Sequence, residues 1–145
     1  MFERIVVSVD GSPDSDKAVQ VAKEIGRTHG SEIIVVHGQD VAIVAPPGPP
    51  GPVPPPQVEP ESEDEAQTIV NDALRELEEA GVTARGVVLP MHGRLASQIV
   101  EAARDASADL IVLGSRGMSR IQEMVIGSVA HKVIHISPYP VLLAR

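Results

Sequence analysis

The chain has 145 residues, no cysteine, one phenylalanine, one tyrosine, no tryptophan and a formal charge of −8. That length suits one domain with one core and excludes two, and without cysteine there is neither a disulfide frame nor a thiolate metal site. An acidic chain almost without aromatic rings lacks both the basic residues that bind nucleic-acid phosphates and the platforms that stack bases, so nucleic acid is excluded as a partner. No run approaches the roughly 20 apolar residues that cross a bilayer, and Met1 to Ile5 does not read as a basic leader, so no membrane association and a cytoplasmic location are expected.

The first expected strand is Ile5 to Val9, a β-branched run ending at Asp10-Gly11-Ser12-Pro13. Ser12 should cap a helix with Pro13 in its first position and Ala18, Val21, Ala22 and Ile25 on one buried face, closed by Gly30. Ile33 to Val36 reads as a second strand. Ala66 to Leu77 reads as a second helix ending at Gly81, with Ile69, Val70, Ala73, Leu74 and Leu77 on its apolar side. A third strand spans Val82 to Leu89, a third helix about Leu95 to Ala106, and a fourth strand Leu110 to Leu113, stopping at Gly114. Another helix begins near Ser128. Val141 to Ala144 is the last strand, its start marked by Pro138 and Pro140, which cannot donate to a ladder.

Between the second strand and second helix, Ala45 to Pro60 is dominated by proline. It has little to bury and reads as an exposed, mobile spacer, or else as a docking segment for a proline-reading partner. The acidic run Glu59 to Glu65 then favours the positive end of the following helix.

Strands alternating with amphipathic helices specify an α/β fold: a single doubly wound, five-stranded parallel sheet with helices on both faces, of Rossmann-like type, spanning residues 1–145 as one domain. Ligands of such sheets bind beyond the carboxyl ends of the strands where chain order reverses, here strands one and four. Those ends are Ser8 to Ser12 and Gly114 to Gly117.

Gly114-Ser115-Arg116-Gly117, nine residues, then Gly127-Ser128-Val129 is the most informative stretch. Glycines let backbone approach a phosphate, and Ser128 can cap the following helix. Gly127, Ser128 and Val129 therefore form a candidate phosphate cradle at a helix N-terminus whose first turn contains no acid. The first helix, by contrast, opens on Asp14 and Asp16, which would repel phosphate. Arg116 and Arg120 could reach the anion, although Glu123 lies in the same loop. The same glycines also read simply as a strand end and a helix start.

The pattern from Leu110 through Gly114, Gly117, Gly127 and Ser128 to the closing Pro-Val-Leu strand resembles the ATP-binding branch of the universal stress protein family. So does the opening Val7-Ser8-Val9-Asp10-Gly11-Ser12, and the resemblance covers the chain apart from the proline-rich insert. It implies that Ser8, Val9 and Asp10 lie beside the nucleoside, with Asp10 near adenine or ribose or assisting a metal, and that the backbone at Gly38 meets adenine. Leu113 and Gly114 would face the ribose. Arg116, Gly117, Gly127, Ser128 and Val129 would hold the triphosphate of ATP, with Mg²⁺ or Mn²⁺ bridging its oxygens. Two departures stand out: Gly38 where relatives carry a larger apolar residue, and His92-Gly93-Arg94-Leu95 where they often read Gly-Asp-Pro.

Asp10 also fits plain turn chemistry. His131 and His135 share a zinc-compatible spacing but lack a third ligand, so a surface role is expected. There is no P-loop, no dinucleotide fingerprint and, at Leu89-Pro90-Met91, no phosphoacceptor aspartate. The expected function is a nucleotide-binding regulatory protein in which ATP orders the loop from Met118 to Ile126. The rivals are a slow ATPase or autophosphorylating enzyme, with Asp10 holding metal or water and Ser128 or Ser119 as acceptor, and a dimeric scaffold without nucleotide. A homodimer is expected through the edge strand Val141 to Ala144.

Overall fold

The computed structural model describes residues 1–39, 61–90, 94–117 and 126–145. The proline-rich insert, His92, Ser119, Arg120, Glu123 and all but the last residue of the loop from Met118 to Ile126 lie outside the described residues. The elements in chain order are β1 (Arg4–Ser8), α1 (Pro13–His29), β2 (Glu32–His37), α2 (Glu63–Glu79) and β3 (Ala84–Val88). They continue with α3 (Leu95–Asp105), β4 (Leu110–Gly114), α4 (Ser128–Ile136) and β5 (Val141–Ala144). All pairings are parallel, in the order β3-β2-β1-β4-β5.

Successive strand residues point to opposite faces, and both faces are covered. Ile5, Val7, Ile33, Val35, Leu110 and Val112 pack with α1 and α2, while Val6, Ile34, Val36, Ile111 and Leu113 pack with α3 and α4. The central strands are therefore continuously apolar, and each fully buried aliphatic contributes about 1.5–3 kcal/mol relative to exposure.

Helix ends follow local chemistry. Ser12 accepts from the Ser15 amide, Pro13 opens α1, and Gly30 closes it in the left-handed region at φ 69°. On α1 the buried face is Ser15, Ala18, Val19, Ala22 and Gly26, leaving Val21 and Ile25 half-buried at its border. The second helix starts at Glu63, one turn before Ala66, because Ser62 and Glu65 form a reciprocal capping box. Glu63, Asp64 and Glu65 accordingly form its first turn. The third strand is shorter than its apolar pattern, since Val82 and Leu89 are buried outside the ladder.

From β1 the chain moves to β2 and β3 on one side, then crosses to β4 and β5 on the other. The connections leaving β1 and β4 thus diverge to opposite faces, and their carboxyl ends are the place where sheets of this topology bind ligands.

Candidate functional site

At the end of β1, the buried Val9 continues the pairing with β2, its amide donating to Val36 O at 2.9 Å. Asp10 then turns the chain: its Oδ1 accepts from the Ser12 amide at 2.9 Å, and its own amide donates to Ser15 Oγ at 3.3 Å. The turn role and a position at the switch point coincide. Oδ2 of Asp10 is the atom a Cβ on Gly117 would strike, at 2.7 Å, so the loop after β4 passes directly over this carboxylate.

A second acid ties the two sides together. Asp14 Oδ2 accepts from Ser115 Oγ at 2.9 Å and from the Arg116 amide at 3.1 Å. Burial pushes its carboxyl upward, but those two bonds and the nearby Lys17 ammonium outweigh it and leave Asp14 below the usual carboxylate range. Asp16 moves the other way, raised by burial and by the charges of Glu76 and Asp10. The start of α1 is therefore an acidic wall, unsuited to a phosphate.

Gly114 permits this approach: a Cβ there would lie 2.7–2.9 Å from the backbone of Asp14 and Ser115's partner helix at Ser15. Leu113, beside it, is buried in the core. The buried Ser115 also accepts from the Gly127 amide through its carbonyl, at 2.7 Å. A Cβ on Gly127 would sit 3.4–3.5 Å from Ser115 O, Arg116 Cα and Gly117 N. Gly117 is thus flanked by the Asp10 carboxylate and by Gly127.

The N-cap of α4 is Gly127, not Ser128 as its residue type suggests, and among the described residues no side chain caps this helix. Ser128 is the first helical residue and is exposed, as is Arg116. The Gly127 amide is taken by Ser115 O and the Gly127 carbonyl by the His131 amide. The amides of Ser128, Val129 and Ala130 are then the donors that the first helical turn cannot satisfy internally. With no acid in that turn, the turn itself leaves the positive end of the helix dipole without a counter-charge.

Gly38 stands where β2 leaves the sheet, and it is buried. A Cβ there would meet Leu95 Cδ1 at 2.8 Å and Leu89 Cβ at 3.1 Å, so glycine at this place lets the first residue of α3 close over the strand end. Among the described residues no group of three histidine or carboxylate side chains is arranged to hold a metal. His131 and His135 stack, with ring centroids 5.0 Å apart.

The family model described as the universal stress protein family matches residues 1–145. The chain belongs to the universal stress protein family. Among relatives of this universal stress protein, YxiE of Bacillus subtilis is 33% identical, with both chains covered in full. A universal stress protein structure from Archaeoglobus fulgidus superposes with a TM-score of 0.77 at 26% identity, again over the whole of both chains. Another universal stress protein, solved in complex with cAMP, has a TM-score of 0.67 at 26% identity, over 99% of this chain and 97% of the other.

In this universal stress protein, the ends of β1 and β4 bring together Asp10, Gly114, Gly117 and Gly127. Gly38 lies under α3. Sequence reasoning overlooked Asp14 as a cross-link, Ser115 as its donor, Ala130 as a third free amide, and a pairing between His37 and Glu61. None has a local signature: each depends on residues at least 24 positions away or on a cap that the helix lacks.

Proposed function

We propose that this universal stress protein binds ATP, with Mg²⁺ carried on its phosphates, and acts as a nucleotide-regulated protein. The observation that carries this reading is the uncapped start of α4 at the switch point: three amides converge there beside two glycines. The residues fit a polyphosphate, because Gly127 puts no side chain over these amides and the first turn of α4 holds no acid. Ser128, Val129 and Ala130 would donate to phosphate oxygens, Gly117 would let the chain pass close to them, and the exposed Arg116 could swing toward them. Ser8, Val9, Asp10, Leu113 and Gly114 would line the nucleoside end, with the strand end at Gly38 nearby. Asp10 would be the acid that faces a phosphate-bound cation. The relative solved with cAMP supports an adenine nucleotide as ligand.

Thermal unfolding with and without Mg·ATP tests the reading. Ligand at about 100 times Kd adds about 2.7 kcal/mol, which raises the midpoint by roughly 5–10 °C for a domain of this size. Gly127→Val should cancel that rise, read against the variant's own unliganded midpoint, which the poorer N-cap lowers. No rise in the wild type would end the proposal. We further propose a homodimer formed through β5.

A further inference from the structure

The helix α4 buries Ala130 and Val133 in the core and turns His131, Lys132, Ile134, His135 and Ile136 to solvent. His131 and His135 are four positions apart, so their side chains stand on one stripe of the helix. Their rings lie nearly parallel, at 18°, with centroids 5.0 Å apart. Among the described residues neither ring has a hydrogen-bond or ion-pair partner. The other described histidines are engaged elsewhere: His29 meets Phe2 edge-on at 6.0 Å, and His37 is buried between the Val9 carbonyl and Glu61. With no cysteine in the chain, imidazole is what it can offer to metal ions that prefer nitrogen over oxygen.

We propose that His131 and His135 chelate one divalent transition-metal ion, Cu²⁺ ahead of Ni²⁺ or Zn²⁺, on the exposed face of α4. A metal about 2.0–2.1 Å from one nitrogen of each ring, at an angle of about 90–109° between them, holds the ring centres roughly 4.5–5.2 Å apart. The observed 5.0 Å lies inside that range, so chelation needs rotation of the rings about their soft χ2 angles and no movement of the helix. No third histidine or carboxylate joins the pair among the described residues. Water therefore completes the shell, and the site is open and exchangeable, unlike a closed structural centre with four protein ligands.

His135 lies in the last turn of α4, where the helix dipole favours a cation. Lys132 opposes it, but projects about 100° round the helix from His131. Cu²⁺ leads by the usual order of affinities at nitrogen sites. Mg²⁺ takes oxygen ligands and gives up water reluctantly, so this site is distinct from the cation proposed on the phosphates and stands whether or not nucleotide binds. The helix brings the two rings together, so the ion favours the folded chain. Its folded-to-unfolded ratio rises about 100-fold at 100 times Kd, less whatever the unfolded histidines bind.

The test uses the full chain without a histidine tag or nucleotide, at pH 7.5, with CuCl₂, NiCl₂, ZnCl₂ and MgCl₂ as probes. Titration calorimetry should find one Cu²⁺ per chain, weaker Ni²⁺ and Zn²⁺, and no histidine-dependent Mg²⁺. His131→Ala and His135→Ala should each weaken Cu²⁺ at least about tenfold, because a lone imidazole loses the effective concentration of its neighbour. His29→Ala should change nothing. These positions are exposed, so the variants keep the fold. In the His135→Ala background, Ile134→His rebuilds a pair at i, i+3 and should restore binding, whereas Lys132→His, at i+1, should not. Equal rescue by both, or none from Ile134→His, would refute the shared-stripe geometry. Electron paramagnetic resonance of the wild-type Cu²⁺ complex should show two imidazole nitrogens on the metal. No Cu²⁺ binding, binding that survives loss of both histidines, or binding that only one substitution weakens would each overturn the proposal.

Discussion

Asp14 stands in the first turn of α1, yet its carboxylate reaches across to the loop after β4, where Ser115 Oγ–H and the Arg116 amide donate to it. It therefore does two things at once: it opposes the positive helix end, and it holds the strand-to-loop exit that leads to Gly117. Hydrogen bonds to a charged group contribute about 1.5–3 kcal/mol. Asp14→Ala should cost about that much in urea unfolding at pH 7. Because the folded Asp14 ionises below its ordinary 3.8, its contribution is present above about pH 4 and fades as pH falls through the depressed value. The gap between wild type and variant should accordingly shrink between pH 5 and pH 3; a gap that stays constant, or is absent at pH 7, would show that the bridge does not hold the loop. Nothing in the local sequence announces this bridge, because its partners are more than 100 residues apart and acids in a first helical turn are ordinary.

Elements were far more legible than such contacts. Ser12-Pro13 placed the start of α1, Gly30 its end, and the β-branched runs all five strands, because these depend on neighbours in the chain. The start of α2 lies a turn earlier than the apolar pattern indicates, where acidic residues hide a capping box, and α4 starts at Ser128 as expected but with Gly127 in place of Ser128 as its N-cap. That last difference has a physical cause: serine is a strong cap, but here the glycine before it takes the N-cap place, at φ −66° and ψ 156°, and contributes no acceptor. The backbone there suits any residue, so Gly127→Asp should be accommodated. Its carboxylate would accept from the first-turn amides and face the dipole, stabilising the unliganded protein by about 0.5–1 kcal/mol. The same carboxylate would occupy the place proposed for phosphate. A variant with a higher melting midpoint that no longer responds to Mg·ATP is the expected result, measured in one pair of thermal scans. A stabilised variant that still responds fully would put the phosphate elsewhere.

At the scale of the whole molecule the sheet of the described residues ends in two edge strands, β3 and β5, of unequal character. The β3 edge carries Arg85, paired with Glu32 at 3.0 Å, and such charged side chains discourage strand addition. The β5 edge is Val141-Leu142-Leu143-Ala144 and carries no charge within the strand. Ile111 donates to Pro140 O and Ser115 to Ala144 O, so the even-numbered residues of β5 face β4 and, by alternation, Val141 and Leu143 present their amides to the open edge. Pairing of two such edges across a two-fold axis satisfies those groups and buries the apolar side chains together. Light scattering at micromolar concentration should give twice the chain mass of 15.3 kDa. Leu143→Pro removes one outward amide without touching the bonds to β4, and it should yield a folded monomer with a cooperative thermal transition. A monomeric wild type would remove the dimer, and a variant that remains dimeric would move the interface away from this edge.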